Sequence, residues 1–421
     1  MLRYIDLFAG MGGLRLGLEQ ALSDIGMHGK CVLTSEIKET ALKVYKDNFG
    51  DENIVGDISK VDSKDIPDFD MLLAGFPCQP FSAAGKRRGF EDTRGTLFFE
   101  VARILKDKKP KYFLLENVEN LVWHDMTREE KKQGKKIGRT FETILNVLED
   151  LGYKVSWRVL QASQYGVPQI RRRVYIVGSL KDEIDLNFFR EKSSCFGDIQ
   201  EHGLPTIDNE FSRLLKEYLK RNHLSLSYVC GKYIRDKRGS ENNIHSWELG
   251  LRGKLNENQI QLLNDLIYER RKKSRAIEKG VPLKDGVGLT YNELNDIYIG
   301  TNFKEDLEDI VSKRYLKKYR IDGFADDVYD ILGGCLSFEF TRFINPNESC
   351  LTLVATDACK LGVVDGDGIR QLTLKECLRL DGYPDDYKFD VPYRVGLDLL
   401  GNTVVVPVIK MICERILESY E

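Results

Sequence analysis

The sequence predicts an α/β protein whose main domain is a doubly wound, mostly parallel sheet that carries a smaller inserted domain. In the first half of the 421 residues, short apolar runs alternate with segments that repeat apolar residues every three or four positions. After Gly178 this alternation stops, and polar segments with isolated aromatic residues among lysines and arginines follow. Helical patterns return near the C-terminus, so both ends of the chain are expected to build the main domain.

Six apolar runs are the predicted strands: Tyr4 to Phe8, Cys31 to Ser35, Phe69 to Ala74, Lys111 to Leu115, Lys154 to Leu160 and Val174 to Val177. The predicted helices are Leu14 to Ser23, Glu39 to Asn48, Leu97 to Lys106, Thr140 to Leu151, Leu372 to Leu380 and Val404 to Ile416. The last helix is expected to pack beside the first strand. The main domain is placed at residues 1–185 and 365–421, and the inserted domain at residues 186–364.

Composition narrows the class of protein. A hydrophobic content of 42% is enough for ordinary packed cores. The apolar stretch from Thr403 to Ile412 is too short to span a bilayer, and no secretory signal precedes the first strand, so a soluble intracellular protein is expected. Nine cysteines without Cys-x-x-Cys spacing and five scattered histidines predict neither a disulfide framework nor a metal site.

The net charge of −3 does not indicate a nucleic-acid-binding protein, but the basic residues are clustered. Each cluster either follows a phosphate backbone or is a solvated surface. The clusters are Lys86 to Arg88, Lys131-Lys132 with Lys135-Lys136, Arg171 to Arg173, Arg235 with Lys237-Arg238, and Arg270 to Lys273 with Arg275.

A glycine-rich turn, Phe8-Ala9-Gly10-Met11-Gly12-Gly13, joins the first strand to the first helix. Such a turn lets the backbone approach a ligand closely, but alone it does not separate a dinucleotide site from an S-adenosylmethionine site. Glu36 ends the second strand, where a carboxylate accepts hydrogen bonds from ribose hydroxyls. Asp57 ends the third strand and is placed to accept from an adenine amino group, with Ile58 against the ring.

A second group of motifs brings together a thiol, a carboxyl group and arginines. Pro77-Cys78-Gln79 follows an apolar strand, so Cys78 is expected on a loop and not in a core. A lone cysteine is more often a small buried hydrophobe. Here Glu116-Asn117-Val118 ends the next strand and Gln169-x-Arg171-x-Arg173 follows, and a nucleophile, an acid and cations together predict one reaction site.

These motifs resemble those of the DNA (cytosine-5)-methyltransferases of bacterial restriction-modification systems. The resemblance also includes Asp6-Leu7, Arg94 to Phe98, Glu376-Cys377, Gly382-Tyr383-Pro384 and Gly401-Asn402, and it stops between about residues 186 and 345. It implies a Rossmann-like S-adenosylmethionine-dependent methyltransferase domain with an inserted target-recognition domain. It also implies methylation within a short duplex DNA sequence, a paired restriction endonuclease, and a monomer in the bacterial cytoplasm, associated with the nucleoid when bound to DNA, with no membrane partner.

The resemblance implies eleven residues that contact S-adenosylmethionine: Phe8, Gly10, Met11, Gly13, Glu36, Ile37, Asp57, Ile58, Pro77, Leu97 and Asn402. Some family members carry tryptophan where Ile37 stands. Stacking on the adenine is therefore expected from Ile37 and Ile58.

Carbon 5 of cytosine is too weak a nucleophile to attack a sulfonium methyl group, so a thiolate must first add to carbon 6. Cys78 is the expected thiolate, and Glu116 is expected to meet the charge that develops at N3. The resemblance places Arg171 against O2 and Glu116, and Arg173 beside the Cys78 loop. A water is expected to remove the carbon-5 proton, and no step requires a metal.

The target base must leave the duplex to expose carbon 6. The segment from Phe81 to Arg94, with Gly85, Gly89 and Gly95 as hinges, is expected to close over it, although a simple flexible loop is the alternative. Candidate backbone contacts are Ser82, Lys86, Arg87, Arg88 and Thr352, and the Arg270 to Arg275 segment is a further one. Candidate base-reading side chains are Arg235, Lys237, Arg238, Asn242, Asn243 and Arg252.

Three other functions share some of these sequence features. A transfer-RNA cytosine-5 methyltransferase shares the Pro-Cys and Glu-Asn-Val motifs, but the long insert and the absence of a Cys-Phe-Thr tripeptide disfavour it. A catalytically silent DNA-binding homologue is disfavoured by the intact Cys78, Glu116 and Arg171. Amino-methylating enzymes carry an Asp/Asn-Pro-Pro-Tyr type motif, which this sequence lacks.

Overall fold

The structure is a computed structural model that describes residues 1–77, 97–123, 125–187, 189–282, 286–332, 339–354 and 356–420. It divides into two compact units. Unit 1 combines Met1–Gln200, Pro346–Ala358 and Thr373–Glu421, and unit 2 combines Glu201–Asn345 and Cys359–Leu372. Unit 1 therefore contains both ends of the chain.

The strands of the described residues are β1 (Leu2–Leu7), β2 (Gly29–Ser35), β3 (Ile54–Val55), β4 (Met71–Ala74), β5 (Tyr112–Val118), β6 (Lys154–Gln161), β7 (Gln169–Ile170), β8 (Arg172–Ser179), β9 (Tyr233–Ile234), β10 (Asn243–Ile244), β11 (Leu289–Thr290), β12 (Leu316–Arg320), β13 (Asp327–Ile331), β14 (Arg342–Phe343), β15 (Cys350–Leu351), β16 (Leu361–Asp365) and β17 (Gly368–Gln371).

The helices are α1 (Gly13–Asp24), α2 (Glu39–Phe49), α3 (Leu97–Lys108), α4 (Arg128–Lys132), α5 (Arg139–Asp150), α6 (Glu210–Arg221), α7 (Ser246–Leu249), α8 (Glu257–Glu269), α9 (Lys273–Glu278), α10 (Tyr291–Ile297), α11 (Phe303–Ser312), α12 (Leu374–Leu380), α13 (Tyr393–Gly401) and α14 (Val406–Leu417). All six predicted strands and all six predicted helices are present, whereas α4, α6 to α11 and α13 were not among the predicted helices.

Unit 1 is built on a seven-stranded sheet in the order β3-β2-β1-β4-β5-β8-β6. All neighbours are parallel except β8, which runs antiparallel to both β5 and β6. Successive residues of β1 point to opposite faces of the sheet and pack in different cores. Tyr4 belongs to the hydrophobic cluster that includes α1 and α14, and Ile5 belongs to the cluster that includes α3 and α5. Apolar cores on both faces confirm the predicted doubly wound, mostly parallel α/β fold.

The C-terminal helix closes one face of this sheet. The close approach of α14 to α1 depends on Gly17, where a Cβ would lie 2.6 Å from Ile409 Cβ. The helical stretch Tyr393–Leu417 has the length and hydropathy to cross a membrane, but 56% of its most apolar window is buried inside the structure. Its apolar residues, among them Val408 and Ile412, belong to the core around β1, as expected for the last helix of the fold.

The unit boundaries differ from the sequence-based ones at residues 185/186 and 364/365, and backbone hydrogen bonds explain each difference. Residues 186–200 belong to unit 1, where Gly197 N donates to Pro346 O (2.7 Å). The segment around β15 also belongs to unit 1, because β15 pairs with β7. By contrast, β16 and β17 form a hairpin that pairs with β14, so unit 2 extends to Leu372.

Unit 2 contains a five-stranded sheet, β10-β9-β14-β16-β17, and a three-stranded sheet, β11-β13-β12. The first sheet shares a core with α6 that includes Ile234, Ile244 and Phe343. The second shares a core with α8 and α11 that includes Leu263 and Ile310. The polar sequence therefore still supplies enough apolar residues for two cores.

Candidate active site

The glycine-rich turn between β1 and α1 has the backbone shape of a ligand-binding loop. Phe8 adopts a positive φ of 55°, which is uncommon for a side chain of this size, and Gly10 and Gly12 have φ of 57° and 84°. A Cβ at Gly10 would meet no atom within 4 Å, so the space beside this residue is open. By contrast, a Cβ at Gly13 would lie 2.5 Å from Tyr383 Oη. The Tyr387 hydroxyl donates to the Met11 carbonyl and holds the turn from its buried side.

Glu36 lies where β2 ends, directly beside this turn. One carboxylate oxygen accepts from Gly10 N (2.7 Å), and the other accepts from Ile37 N (2.8 Å) and Lys38 N (2.7 Å). These bonds fix the carboxylate and orient the turn toward it. The Ile37 side chain is 73% exposed, whereas Ile58 is 1% exposed in the core, so of the two only Ile37 offers a free apolar face in this structure.

Asp57 lies at the end of the neighbouring strand β3. Ser35 Oγ donates to Gly56 O (2.8 Å), which ties the ends of β2 and β3 together. Asp57 Oδ1 accepts from Ser59 N (3.0 Å) and Ser59 Oγ (2.7 Å), and these bonds hold the pKa of Asp57 below its usual value. Asp57 is therefore anionic at neutral pH and able to accept from an amino group.

Three other predicted cofactor residues lie at element ends of unit 1. Pro77 is exposed at the last described position after β4, and Leu97 is the first residue of α3. Asn402 follows α13, and its side chain donates to Asp398 O (2.8 Å). Two acceptor carboxylates, an exposed aliphatic side chain and open space beside Gly10 fit a ligand with ribose, adenine and an amino acid chain. This set of groups fits S-adenosylmethionine.

Glu116 and Arg173 form an ion pair at the ends of two adjacent antiparallel strands. Arg173 lies opposite Val118 in the β5 and β8 ladder, and its Nε is 3.1 Å from Glu116 Oε1. Both side chains are largely buried. Burial raises the pKa of Glu116, although the charges of Arg173 and Arg171 oppose the rise. Desolvation, with the nearby Arg171 charge, lowers the pKa of Arg173.

The expectation that Arg171 contacts Glu116 is wrong in this structure, because Arg173 makes that contact. Arg171 is 2% exposed, and its guanidinium donates to Gly401 O (3.2 Å), Thr403 O and, at 3.5 Å, Leu353 O. Arg173 lies within β8 and pairs with β5, whereas Arg171 lies between β7 and β8, outside that ladder, where backbone carbonyls hold its guanidinium. Arg171 therefore joins the Gln-x-Arg-x-Arg segment to the backbone before α14.

The strand end that leads to Cys78 is tied to the Glu116 strand. Asn117 Nδ2 donates to Phe76 O (2.6 Å), and a Cβ at Gly75 would lie 3.8 Å from Glu116 Oε2. The carboxyl group thus lies beside the backbone three residues before Cys78. Cys78 itself, Ser82, Lys86, Arg87, Arg88 and the remainder of the Phe81 to Arg94 segment lie outside the described residues.

Two buried aspartates were not singled out by the sequence, although Asp6 stands inside the first motif. Both are fully buried, and burial raises the pKa of Asp6 to about 8 and that of Asp381 to about 7. Among the described residues, neither Asp6 oxygen has a hydrogen-bond partner. Asp381 Oδ1 accepts from Gln169 Nε2 (2.9 Å), and Gln169 Oε1 accepts from Leu353 N (3.2 Å). No sequence pattern separates such a buried acid from a surface one.

The structure sorts the basic residues of unit 2 into two groups. Arg270 is 3% exposed and forms two hydrogen bonds with Asp330, at 2.6 and 2.9 Å, and Arg275 pairs with Glu269 and Glu293. These two arginines are structural, which overturns their expected phosphate contacts. Arg252 is partly buried over the Tyr315 ring. Lys237, Arg238 and Arg271 are exposed, and Arg235 is partly exposed.

Thr352 belongs to unit 1 and not to the unit that contains Arg235 and Arg238. Its hydroxyl donates to Ile170 O, beside the pairing of β15 with β7. The same short segment supplies the Leu353 carbonyl to Arg171. Thr352 thus lies next to the Gln-x-Arg-x-Arg segment, and a backbone contact to DNA by this residue stays a prediction.

Comparison with known proteins identifies the family. The family model described as C-5 cytosine-specific DNA methylase matches residues 2–418. The chain is 51% identical over 428 residues to Type II methyltransferase M.NlaIV of Neisseria lactamica and 50% identical over 428 residues to M.NgoBV of Neisseria gonorrhoeae, with 99% of each chain covered. The structure of S. pombe Dnmt2 methyltransferase, 18% identical, aligns over 99% of both chains with a TM-score of 0.50, which supports the fold alone. The chain belongs to the C-5 cytosine-specific DNA methylases and transfers a methyl group from S-adenosylmethionine to carbon 5 of cytosine in DNA.

Proposed function

We propose that this enzyme methylates one cytosine within a specific short duplex sequence and protects that sequence from a restriction endonuclease of the same specificity. The observation that carries the proposed mechanism is the buried Glu116 and Arg173 pair beside the backbone that leads to Cys78. The Type II names of the two Neisseria relatives support the restriction-modification role. The enzyme acts as a monomer in the bacterial cytoplasm, at the nucleoid when bound to DNA, without a membrane partner.

In the proposed first step, the Cys78 thiolate adds to carbon 6 of the extruded cytosine. The π electrons of the double bond between carbon 5 and carbon 6 are displaced, and the negative charge spreads toward N3 and O2. A protonated Glu116 donates to N3 and neutralises this charge, and its raised pKa favours the protonated form. Because Glu116 Oε1 is engaged by Arg173, Oε2 is the oxygen that faces the base.

Arg173 has a second role in this step. Its Nε is used by Glu116, and its Nη1 donates to Arg172 O (2.8 Å), which leaves Nη2 for O2 of the cytosine. A cation at O2 stabilises the same developing charge as Glu116 does at N3. Arg171 is buried against backbone carbonyls and positions the segment that carries Arg173.

S-adenosylmethionine, when bound, supplies the electrophilic methyl group that carbon 5 accepts. Glu36 is placed to accept from its ribose hydroxyls, Asp57 from its adenine amino group, and Ile37 to cover the adenine ring. The remaining proposed contacts are Phe8, Gly10, Met11, Gly13, Ile58, Pro77, Leu97 and Asn402.

After carbon 5 has received the methyl group, a water removes the proton from carbon 5. The bond from Cys78 to carbon 6 then breaks, and the N3 proton returns to Glu116.

Unit 2 is proposed to recognise the target sequence, and unit 1 to perform the chemistry. Its exposed basic side chains support this division, since the whole chain carries a net charge of −3. The segment from Phe81 to Arg94 is proposed to close over the flipped base. Ser82, Lys86, Arg87, Arg88 and Thr352 are the proposed backbone contacts.

The test is bisulfite sequencing of a plasmid after incubation with purified enzyme and S-adenosylmethionine. We expect protected cytosines within one short repeated sequence. Cys78→Ala should abolish protection and keep cofactor affinity and thermal stability, because the thiol is needed only for the covalent step.

Cys230→Ala is the matched control, since it removes a thiol of unit 2 that has no proposed role and should leave methylation intact. A Cys78→Ala enzyme that still protects its sites would refute the covalent mechanism. Protection spread over unrelated sequences would refute the proposed sequence specificity.

A further inference from the structure

Three short strands of unit 2 place four polar side chains on one face of a sheet. Tyr233 on β9 lies opposite Asn243 on β10 and opposite Arg342 on β14. The next residue on each strand, Ile234, Ile244 and Phe343, is fully buried in the core behind the sheet. Because side chains alternate along a strand, Tyr233, Asn243 and Arg342 face away from that core. Arg235 lies two residues after Tyr233 and faces the same way.

Two arginines stack on the Tyr233 ring. The Arg235 Cζ atom lies 4.2 Å from the ring centroid, and the Arg342 Cζ atom lies 4.6 Å from it. Arg235 Nε also donates to Asn243 Oδ1 (2.7 Å), and Arg342 Nη1 donates to Tyr233 Oη (2.7 Å). Each guanidinium is thus held by stacking and by one hydrogen bond.

The support beneath this pair is rigid. Asn243 is buried, and its Nδ2 donates to Arg238 O, so both ends of its amide are occupied within unit 2. Asn243, a candidate base reader from the sequence, therefore orients Arg235. His245 stacks on Trp247 with a centroid distance of 4.5 Å, and its Nδ1 contacts Arg235 O (2.7 Å). The backbone on both sides of the arginine is fixed.

These arginines have no acidic partner within the part of the chain that the structure describes. Asp236, the nearest acid in sequence to Arg235, turns inward and accepts from Ser246 N and Oγ, both at 2.8 Å. Arg238 and Arg271 add further positive charge near Arg235. Arg270, Arg275, Arg320 and Arg370 of the same unit are all paired with carboxylates. An oriented pair of guanidinium groups without a carboxylate partner is suited to binding an electron-rich ligand.

We infer that Arg235 and Arg342, held by Tyr233, read guanine in the major groove and are specificity-determining residues of this enzyme. The inference rests on the proposed role of unit 2. Guanine presents two acceptors, O6 and N7, which match the fork of a guanidinium. Arg235 retains both terminal nitrogens as donors, and Arg342 retains Nε and Nη2. A phosphate contact would not require stacking, since a mobile side chain neutralises charge equally well.

The experiment measures sequence preference and salt dependence together. Wild type, Arg235→Lys, Arg342→Lys and Tyr233→Leu enzymes methylate a plasmid library with randomised positions, and bisulfite sequencing gives the preference at each base pair. Lysine keeps the positive charge but lacks the two parallel N–H donors of a guanidinium. Each lysine variant should therefore prefer guanine over the other bases at one position by about 10- to 100-fold less than wild type. The slope of log affinity against log salt concentration should stay the same.

Tyr233→Leu should relax the preference at both guanines, because neither arginine is held. Arg320→Ala is the matched control: Arg320 is an exposed arginine of the same unit that pairs with Asp327 (3.1 Å), and its loss should change no preference. Circular dichroism and thermal unfolding verify that each variant is folded.

The outcomes separate this inference from the proposed function. An unchanged base preference in all three variants, with wild-type methylation of one short sequence, would overturn the guanine-reading role and leave the proposed function intact. The same holds if a further variant, Arg342→Ala, reduces the salt slope at an unchanged base preference, which would make Arg342 a phosphate contact. If the wild-type enzyme methylates no defined sequence, the proposed function itself fails.

Discussion

Glu116 is the residue whose environment bears most directly on the chemistry. Its carboxyl group is buried, and desolvation raises its pKa despite two nearby arginines. Glu116→Gln keeps the shape and one donor but cannot release or take back the N3 proton. We expect turnover to fall by about 10²- to 10⁴-fold, the usual contribution of a positioned acid or base. The dissociation constant for DNA should change little.

Single-turnover methylation and a DNA binding titration measure these two quantities. Glu119→Gln is a useful control, because Glu119 directly follows β5, pairs with the exposed Arg172 of β8 (2.7 Å) and has no proposed chemical role. Weaker DNA binding at an unchanged rate per bound complex would make Glu116 a structural residue.

Asp6 predicts a measurable pH dependence of stability. Its pKa is about 8 in the folded chain and near 3.8 without burial, so between these values the folded state binds one more proton than the unfolded state. The free energy of unfolding therefore decreases as pH rises from about 4 to about 8. Asp6→Asn cannot titrate, so its stability relative to wild type should increase between pH 6 and pH 9, by more than about 1 kcal/mol.

Urea unfolding of both proteins at each pH provides the comparison. Asp381, whose pKa is also raised, titrates in both proteins and cancels in the difference. A stability difference that stays constant across this range would mean that Asp6 does not hold a proton in the folded state.

At the residue scale, the sequence predicted a shared reaction site for Cys78, Glu116, Arg171 and Arg173, but not that Arg173 is the arginine that pairs with Glu116. Glu116, Asn117, Arg171 and Arg173 all lie at strand ends near the predicted Cys78 loop. The exchange follows from the backbone, because Arg173 lies in the β8 ladder beside β5 whereas Arg171 lies between β7 and β8. These contacts depend on the register of β5 and β8 and on the carbonyls before α14, and the local sequence determines neither.

At the element scale, α8 and β13 are joined by the buried Arg270 and Asp330 pair. Arg270→Ala would leave Asp330 buried without its two charged hydrogen bonds, and breaking such a pair destabilises by about 3–5 kcal/mol. The neighbouring exposed Arg271→Ala should cost little stability. Urea unfolding followed by circular dichroism distinguishes the two variants, and wild-type stability in Arg270→Ala would show that the pair is not structural.

The long elements of unit 1 were largely predictable, whereas the very short strands and the helices of unit 2, such as α6, α8 and α11, were not predicted. The strands and helices of unit 1 have clear apolar periods, so their existence follows from sequence. The two-residue strands β7, β9, β10, β14 and β15 have no period to detect, yet they determine the unit boundaries and form the Tyr233 stack. Arg342 was missed for this reason, because it lies far along the chain from Arg235 and only strand pairing brings them together.

At the scale of the whole molecule, the local arrangement of charged residues matters more for DNA binding than the net charge does. The net charge of −3 indicated no nucleic-acid binding, and three of the basic clusters seen in the sequence contain intramolecular ion pairs: Lys135 with Glu142, Arg172 with Glu119, and Arg270 with Asp330. Three of the cations that remain exposed in unit 2, Lys237, Arg238 and Arg271, lie near Arg235. A mildly acidic chain therefore still carries a local group of positive charges of the kind that can bind phosphates.

This arrangement predicts a specific salt dependence. Arg271 Nη2 donates weakly to Lys237 O (3.3 Å), so these two exposed side chains are neighbours outside the Tyr233 stack. If they neutralise phosphates, the double variant Lys237→Ala, Arg271→Ala should reduce the slope of log affinity against log salt concentration by about two, at an unchanged base preference. DNA binding titrations between about 50 and 200 mM salt measure the slope. A wild-type slope in the double variant would place the phosphate contacts elsewhere, whereas an altered base preference would extend the reading surface beyond Arg235 and Arg342.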